Sequence, residues 1–394
     1  MKLLRHSKLA LGGVLIAGLA ACGGGGSAST DSSGRLSLAL TDAPACGYDA
    51  VNVTIEKVRI HQNGNASDTD GGWSEIVLSP ALRVDLLKLQ NGDLAELGEL
   101  TLPTGSYNQM RLVLADNAGA NVLANSVVLT SDPTKAELAL KTPSGQQSGV
   151  KAKQFSLTIA PNQLANFVID FDACKSVVVA GNSGQYLLKP QLSVLPRYIS
   201  GVTGFVDAGL ANGFASVSLQ QNGVVIKATA PSIDPANFGK FLLPVAPGNY
   251  SLVLTAPGRT TAVVTNVVVA ADTVTSVNTS GGALNPAVSD SGTVTGTAPV
   301  DTLVRVLQPL TTGPIEVTGR FVDGGTGLYT YALPVNAPLV APYVAAPGAL
   351  VFAADAAAAG KYTLNASLTG FTDKTTVLPT LAADATVQTN LTFP

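Results

Sequence analysis

Several side chains have types and spacings that chemistry could use. Asp170 and Asp172 stand two apart in "DFDAC", on one face of a strand, where neighbouring like charges would raise one pKa or bind a cation. Asp68 and Asp70 precede two glycines in "SDTDGG", as at the start of a calcium loop, but no glutamate follows at the spacing of a bidentate ligand. An exposed strand face and a β-turn are the favoured readings of these two pairs, and the loop is the first candidate if calcium binds at all. No resident cofactor is otherwise expected. Trp73 follows the same glycines, while Tyr250 and Tyr362 recur at one position of an internal repeat. Such rings stack on sugars when exposed, yet core packing is the favoured role of all three. A serine or cysteine nucleophile needs a base, and His61 is the only imidazole besides His6. It ends a strand before a turn, as a solvated or packed histidine does. No Gly-x-Ser-x-Gly elbow, phosphate loop, His-Glu-x-x-His or dinucleotide fingerprint occurs, so no catalytic residue is assigned.

The first eight residues carry Lys2, Arg5 and Lys8 without an acid, and Leu9 to Ala21 form thirteen apolar or small residues. That is the layout of a secretory signal, too short for a span of about 20 residues. Leu19-Ala20-Ala21-Cys22 resembles a bacterial lipobox, which implies cleavage before Cys22, palmitate-type acyl chains on it, and a lipoprotein held to a membrane. Gly23 is not the aspartate that retains such proteins in the inner membrane, so the resemblance implies the outer membrane, facing the periplasm or the cell surface. Several chains, at about 0.8 kcal/mol per buried methylene, anchor durably. The segment "GGGGSASTDSSG" has a flexible linker's composition; residues 1–21 then read as signal and 22–34 as lipidated tether.

Loss of the signal moves the formal charge from −3 to −6, with 20 cations against 26 acids, which gives no basic patch for nucleic acid. Cys46 and Cys174 are then an even pair in an exported chain. A disulfide between them would close a loop of about 130 residues, near 5 kcal/mol in the chain-entropy model; two free buried thiols are the alternative. The uncharged run from Ala332 to Ala354 carries Pro334, Pro338, Pro342 and Pro347. Those prolines break any helix, so it reads as an extended loop or sheet edge.

Around these residues the chain is written for β-structure. "RLSLALTDA" and "VNVTIEKVRIH" alternate with period two, and "NGNASDTDGGW" joins two strands as a hairpin. "SVVLT", "FSLTIA", "ANFVIDFDA" and "YLLKPQLSVL" are short and set off by turn formers, with a short helical turn expected around Leu94 to Leu97. A β-sandwich or barrel-like domain over 35–200 follows. The blocks "LSLALTDAP", "YDAVNVTIEKVRIH", "VDLLKLQNGDLAELGELTLPTGSYNQMRLVL", "TPSGQQSGVK" and "FDACKSVV...GQYLLKPQL" resemble, in order, those of the family called domain of unknown function 4382. The resemblance implies a β-rich exported domain and no catalytic residues.

The rest is a repeat. "GNYSLVLTAPGRTTAVVTNVVVAADTVTSVNTS" aligns with "GKYTLNASLTGFTDKTTVLPTLAADATVQTNLTF", pairing Tyr250 with Tyr362, Gly258 with Gly370 and Asp272 with Asp384, each 112 residues apart. The first copy is similar to carboxypeptidase regulatory-like domains, members of the carbohydrate-binding-like sandwiches. Two small tandem β-sandwiches of Ig-like or prealbumin-like type are expected, over 201–287 and 288–394.

The sequence therefore points to an all-β, membrane-anchored lipoprotein of the cell envelope with a non-enzymatic role in binding or surface presentation, for a polysaccharide or an envelope protein. A structural spacer is the alternative, and a carboxylate-based envelope hydrolase a lesser one.

Overall fold

Alternation sets the first sheets. The computed structural model describes residues 33–42, 47–143, 149–152, 155–212, 214–345 and 348–394. In strand Tyr48–His61, Val51, Val53 and Ile55 face inward, and then Val58 and Ile60 do. The step between the two sets is odd, and a register shift between Ile55 and Lys57 absorbs it. Without that bulge the second half of the strand would turn its apolar residues to solvent. This strand pairs with Ser74–Asp85, Gln109–Leu114 and Ser126–Leu129 in an eight-stranded sheet. A four-stranded sheet runs in the order Leu192–Pro196, Leu164–Phe171, Ser33–Asp42, Ala95–Pro103. Side chains of both sheets, among them Leu38, Leu40, Val53, Leu112 and Phe171, form one buried cluster, so the first unit is a sandwich rather than a closed barrel.

The helical turn expected around Leu94 to Leu97 is not there. Ala95–Pro103 is a strand paired with Ser33–Asp42, and Leu97 is buried in the core; pairing across the sheet overrides local preference. The turn of helix falls at Leu86–Lys88, capped by the Asp85 carboxylate, which accepts from the Leu87 amide.

The two copies downstream fold alike. In the second unit Gly201–Phe205 lies between Lys240–Pro244 and Val274–Ser276, and the facing sheet runs Val224–Thr229, Ser216–Gln221, Gly248–Thr255, Ala262–Val269. In the third, Ser291–Thr297 lies between Leu328–Pro334 and Thr386–Gln388, and the facing sheet runs Gly313–Phe321, Leu303–Leu310, Thr363–Ser367, Lys374–Val377. The parallel pairs also correspond, Gly201–Phe205 with Val274–Ser276 and Ser291–Thr297 with Thr386–Gln388. Gly258 and Gly370, paired by the repeat, both take positive φ, 68° and 89°, which glycine adopts without strain. Each unit has its own cluster, Val202 to Leu284 and Val294 to Leu391.

The proline-rich run is more than a loop. Its residues Leu339–Pro342 form a strand parallel to Ala262–Val269, and Ala353–Ala354 pairs beyond it. The third unit thus extends the sheet of the second, and Tyr343, Leu350 and Phe352 pack on the second unit's core. Below this seam a separate cluster, Val253, Val263, Leu310, Ile315 and Ala358, joins the two units.

Candidate functional site

At the hairpin tip Asp70 closes its own turn. Its carboxylate accepts from the Ser67 hydroxyl at 2.6 Å and the Ser67 amide at 3.0 Å, bonds that hold it below the usual carboxylate range. Asp68 contributes its carbonyl to Arg59. Among the described residues no three His, Cys, Asp or Glu side chains come together as metal ligands. The carboxylate of Asp70 is spent on turn geometry. His61 is equally engaged. Its Nδ1 accepts from the Asn63 amide at 2.8 Å, which leaves the proton on Nε2 to be donated to the Gly71 carbonyl at 2.9 Å. The Trp73 indole donates to Ser67 O, and the Arg59 and Arg111 guanidinium carbons lie 4.4 and 4.8 Å from its ring centre. Arg59 and Arg111 are cross-strand partners, so the tryptophan pins the hairpin loop to the sheet by cation–π contact. Its part is packing rather than a free stacking platform.

Tyr250 and Tyr362 are packed inside their sandwiches as well. They are 5% and 1% exposed, and their hydroxyls donate to the carbonyls of Ala246 and Pro334. A ring enclosed in a sandwich core offers no face to a sugar.

Asp170 and Asp172 do not form an acid pair. Side chains on one strand face diverge once the strand ends, and Asp172 is already the cap of the helical turn Ala173–Ser176, accepting from the Lys175 amide. Asp170 is buried and accepts from Lys227 Nζ of the second unit at 2.6 Å. Cys174, in that helical turn, is disulfide-bonded. Cys22 and Cys46 lie outside the described residues, so neither the lipidation nor the pairing of Cys46 with Cys174 is described.

What sequence reasoning missed is the place where these elements meet. Asp172 and Lys175 from the first unit, Phe214, Ser218 and Arg259 from the second, and Glu316, Arg320 and Tyr331 from the third line one cleft of about 420 Å³. Its floor is ionic. Lys175 Nζ lies 3.4 Å from the Asp172 carboxylate and 3.1 Å from that of Glu316, and Arg305 approaches the other Glu316 oxygen at 3.3 Å. Burial alone would lower the Lys175 pKa, but the two carboxylates outweigh it and hold the ammonium well above the ordinary lysine range. The Gln220 side chain both donates to the Glu316 carbonyl and accepts from its amide, each at 2.8 Å, as a strand would. Burial raises the Tyr331 phenol, which donates to Val304 O at 2.6 Å, and the Arg320 guanidinium stacks over its ring at 5.0 Å. The hydroxyl-bearing Ser216, Ser218, Thr255, Thr261, Ser289 and Ser291 line the walls. Phe214, 45% exposed with φ of 61°, is the cleft's exposed aromatic, held in a conformation that costs a bulky residue energy. Only the fold marks it, because residues from three separate stretches are needed to make the cleft.

Among the described residues no helix is long and apolar enough to cross a membrane. Residues 33–190 match the model of the family described as "Domain of unknown function (DUF4382)". No curated protein matches the chain. Among solved structures, a Streptococcal ancillary pilin is 11% identical, with 90% of this chain and 98% of that chain covered at a TM-score of 0.14. The full-length major pilin of Streptococcus pneumoniae is 10% identical, with 88% and 69% covered at 0.14. A Ca2+-stabilized adhesin, of an Antarctic bacterium that binds ice, is 11% identical, with 90% and 74% covered at 0.10. Scores this low carry no argument about function.

Proposed function

We propose, for a chain whose residues 33–190 form a domain of that family of unknown function, that it is an exported, Cys22-anchored envelope lipoprotein of the outer membrane with a non-enzymatic binding role. Its ligand is a polyhydroxylated envelope component, a polysaccharide by preference, seated in the cleft where the three units meet. One observation carries this reading. The cleft joins an exposed aromatic face, Phe214, and hydroxyl-lined walls to acids that are already ion-paired, since Asp172 and Glu316 share the Lys175 ammonium and Glu316 also meets Arg305. Stacking faces and hydroxyls recognise sugars, whereas a glycosidase needs one carboxyl held protonated and another free. This reading includes a disulfide between Cys46 and Cys174, the even pair of an exported chain. A spacer role is the second reading, favoured by the sheet that the second and third units share.

The experiment is a glycan and cell-wall polymer array probed with the soluble body, residues 34–394, beside its Phe214→Ala variant. Saturable binding that Phe214→Ala reduces about tenfold, a loss of about 1.4 kcal/mol, supports the cleft. Binding to no polymer, or binding indifferent to the substitution, refutes it and leaves the spacer.

A further inference from the structure

The two repeats differ at one edge. In the second unit, strand Ala262–Val269 receives Leu339–Pro342 in parallel, with the Leu339 amide donating to Thr261 O and the Tyr343 amide to Thr265 O, both at 2.8 Å. Its counterpart 112 residues on is Lys374–Val377, which pairs with Thr363–Ser367 on one side and with no described strand on the other. The Leu378 amide donates to Tyr362 O, and antiparallel alternation therefore points the amides and carbonyls of Thr375 and Val377 outward. These two residues are the repeat counterparts of Val263 and Thr265, whose strand the insert covers. Beside the open edge the surface is apolar. Val377 is 77% exposed, and Phe371, in the turn that leads into the strand, is 46% exposed, its ring tilted against Phe393 with centroids 5.6 Å apart.

We propose that the Lys374–Val377 edge is a docking strand for an extended segment of a partner polypeptide, added in parallel. The segment has the chemistry that Leu339–Pro342 brings to the sister edge, which is uncharged, small or branched apolar residues bounded by proline. The warrant is the molecule's own duplication, because one copy of this edge already accepts such a segment. The chain's donor is engaged there, so the second edge takes its strand from another polypeptide. Main-chain hydrogen bonds supply affinity, and alternate side chains against Val377 and Phe371 supply selectivity. Unpaired edges invite strands generally; what marks this one is the sister edge's occupant and the apolar rim. The proposal is independent of the junction cleft.

The probe is a labelled synthetic peptide of residues 337–343, titrated into the soluble body while amide exchange is followed. Saturable binding with new protection at Thr375 and Val377 is expected. Val377→Pro removes one outward amide at an edge where proline is tolerated and should weaken binding about tenfold. Val377→Lys, which places a charge on the apolar rim, should weaken it without touching the backbone, so the pair of variants guards against a folding defect in the first. Protection that falls on Val263 and Thr265, peptide binding indifferent to both variants, self-association through exchanged inserts, or no binding would each overturn the proposal.

Discussion

Consider Lys227→Met. The ammonium of Lys227 lies 2.6 Å from Asp170, and the two side chains are 7% and 11% exposed, so the pair sits out of solvent at the seam between the first and second units. The substitution keeps the length of the stem and deletes the charge. Asp170 is then left buried beside Asp42, whose own carboxyl is raised, first by burial and then by Asp172 and Asp170. Breaking a buried pair from one side costs about 3–5 kcal/mol, whereas replacing both partners with apolar groups is often neutral or stabilising by about 1–4 kcal/mol. The expected cycle therefore has Lys227→Met destabilising by about 3–5 kcal/mol and the double variant Asp170→Leu/Lys227→Met recovering most of that loss. Urea unfolding followed at Trp73, the single tryptophan, reports the first unit, and amide exchange over Val224–Thr229 reports the second. A cost for Lys227→Met below about 1 kcal/mol, or a double variant as unstable as the singles added together, would refute the view that this pair locks the seam.

Three further outcomes follow from the same structure. Asp42 accepts from the Ala173 amide through Oδ1 while Oδ2 is buried with no partner among the described residues, and burial raises its pKa well above 3.8. The folded state therefore holds the proton longer, so this group's stabilisation is full below pH 3.8 and is lost as pH rises through the folded value. Asp42→Asn, neutral at every pH, should raise the melting temperature at pH 8 by a few degrees, about 2–4 °C per kcal/mol, and not at pH 3.5; calorimetry at both values decides. Tyr250→Phe and Tyr362→Phe should each cost about 1 kcal/mol in denaturant unfolding, the net worth of a hydrogen bond, and leave array binding unchanged, whereas lost binding would return these rings to the site. Calcium or chelator should leave the melting temperature within error, and a calcium-dependent rise abolished by Asp70→Asn would instead support a calcium site in the hairpin loop.

Period-two alternation sufficed to place Ser33–Asp42 and each half of Tyr48–His61, because side chains alternate faces along a strand, but not the bulge after Ile55 that joins the two halves. The 112-residue offset foretold two like sandwiches down to the paired glycines, since equal sequence at equal spacing meets equal packing. Leu97 escaped that logic. Nothing local distinguishes a helical turn from a strand that a partner far away in sequence, Ser33–Asp42, completes. The role of the proline-rich run was only half legible, for its prolines excluded helix but could not name the neighbouring sheet it would join.

By itself, then, the sequence determined the all-β class, the repeat, and which residues carry charge in a chain with few of them. Tertiary structure alone decided what those charges do. Asp170, Asp172, Lys175, Lys227 and Glu316 come from three stretches of chain, and their pairing depends on how the units meet, an arrangement no local spacing encodes. The same holds for Phe214, exposed beside that ionic floor, and for the Lys374–Val377 edge, whose openness is visible only against its covered twin. Periodicity records which face is buried; it does not record what lies across the interface.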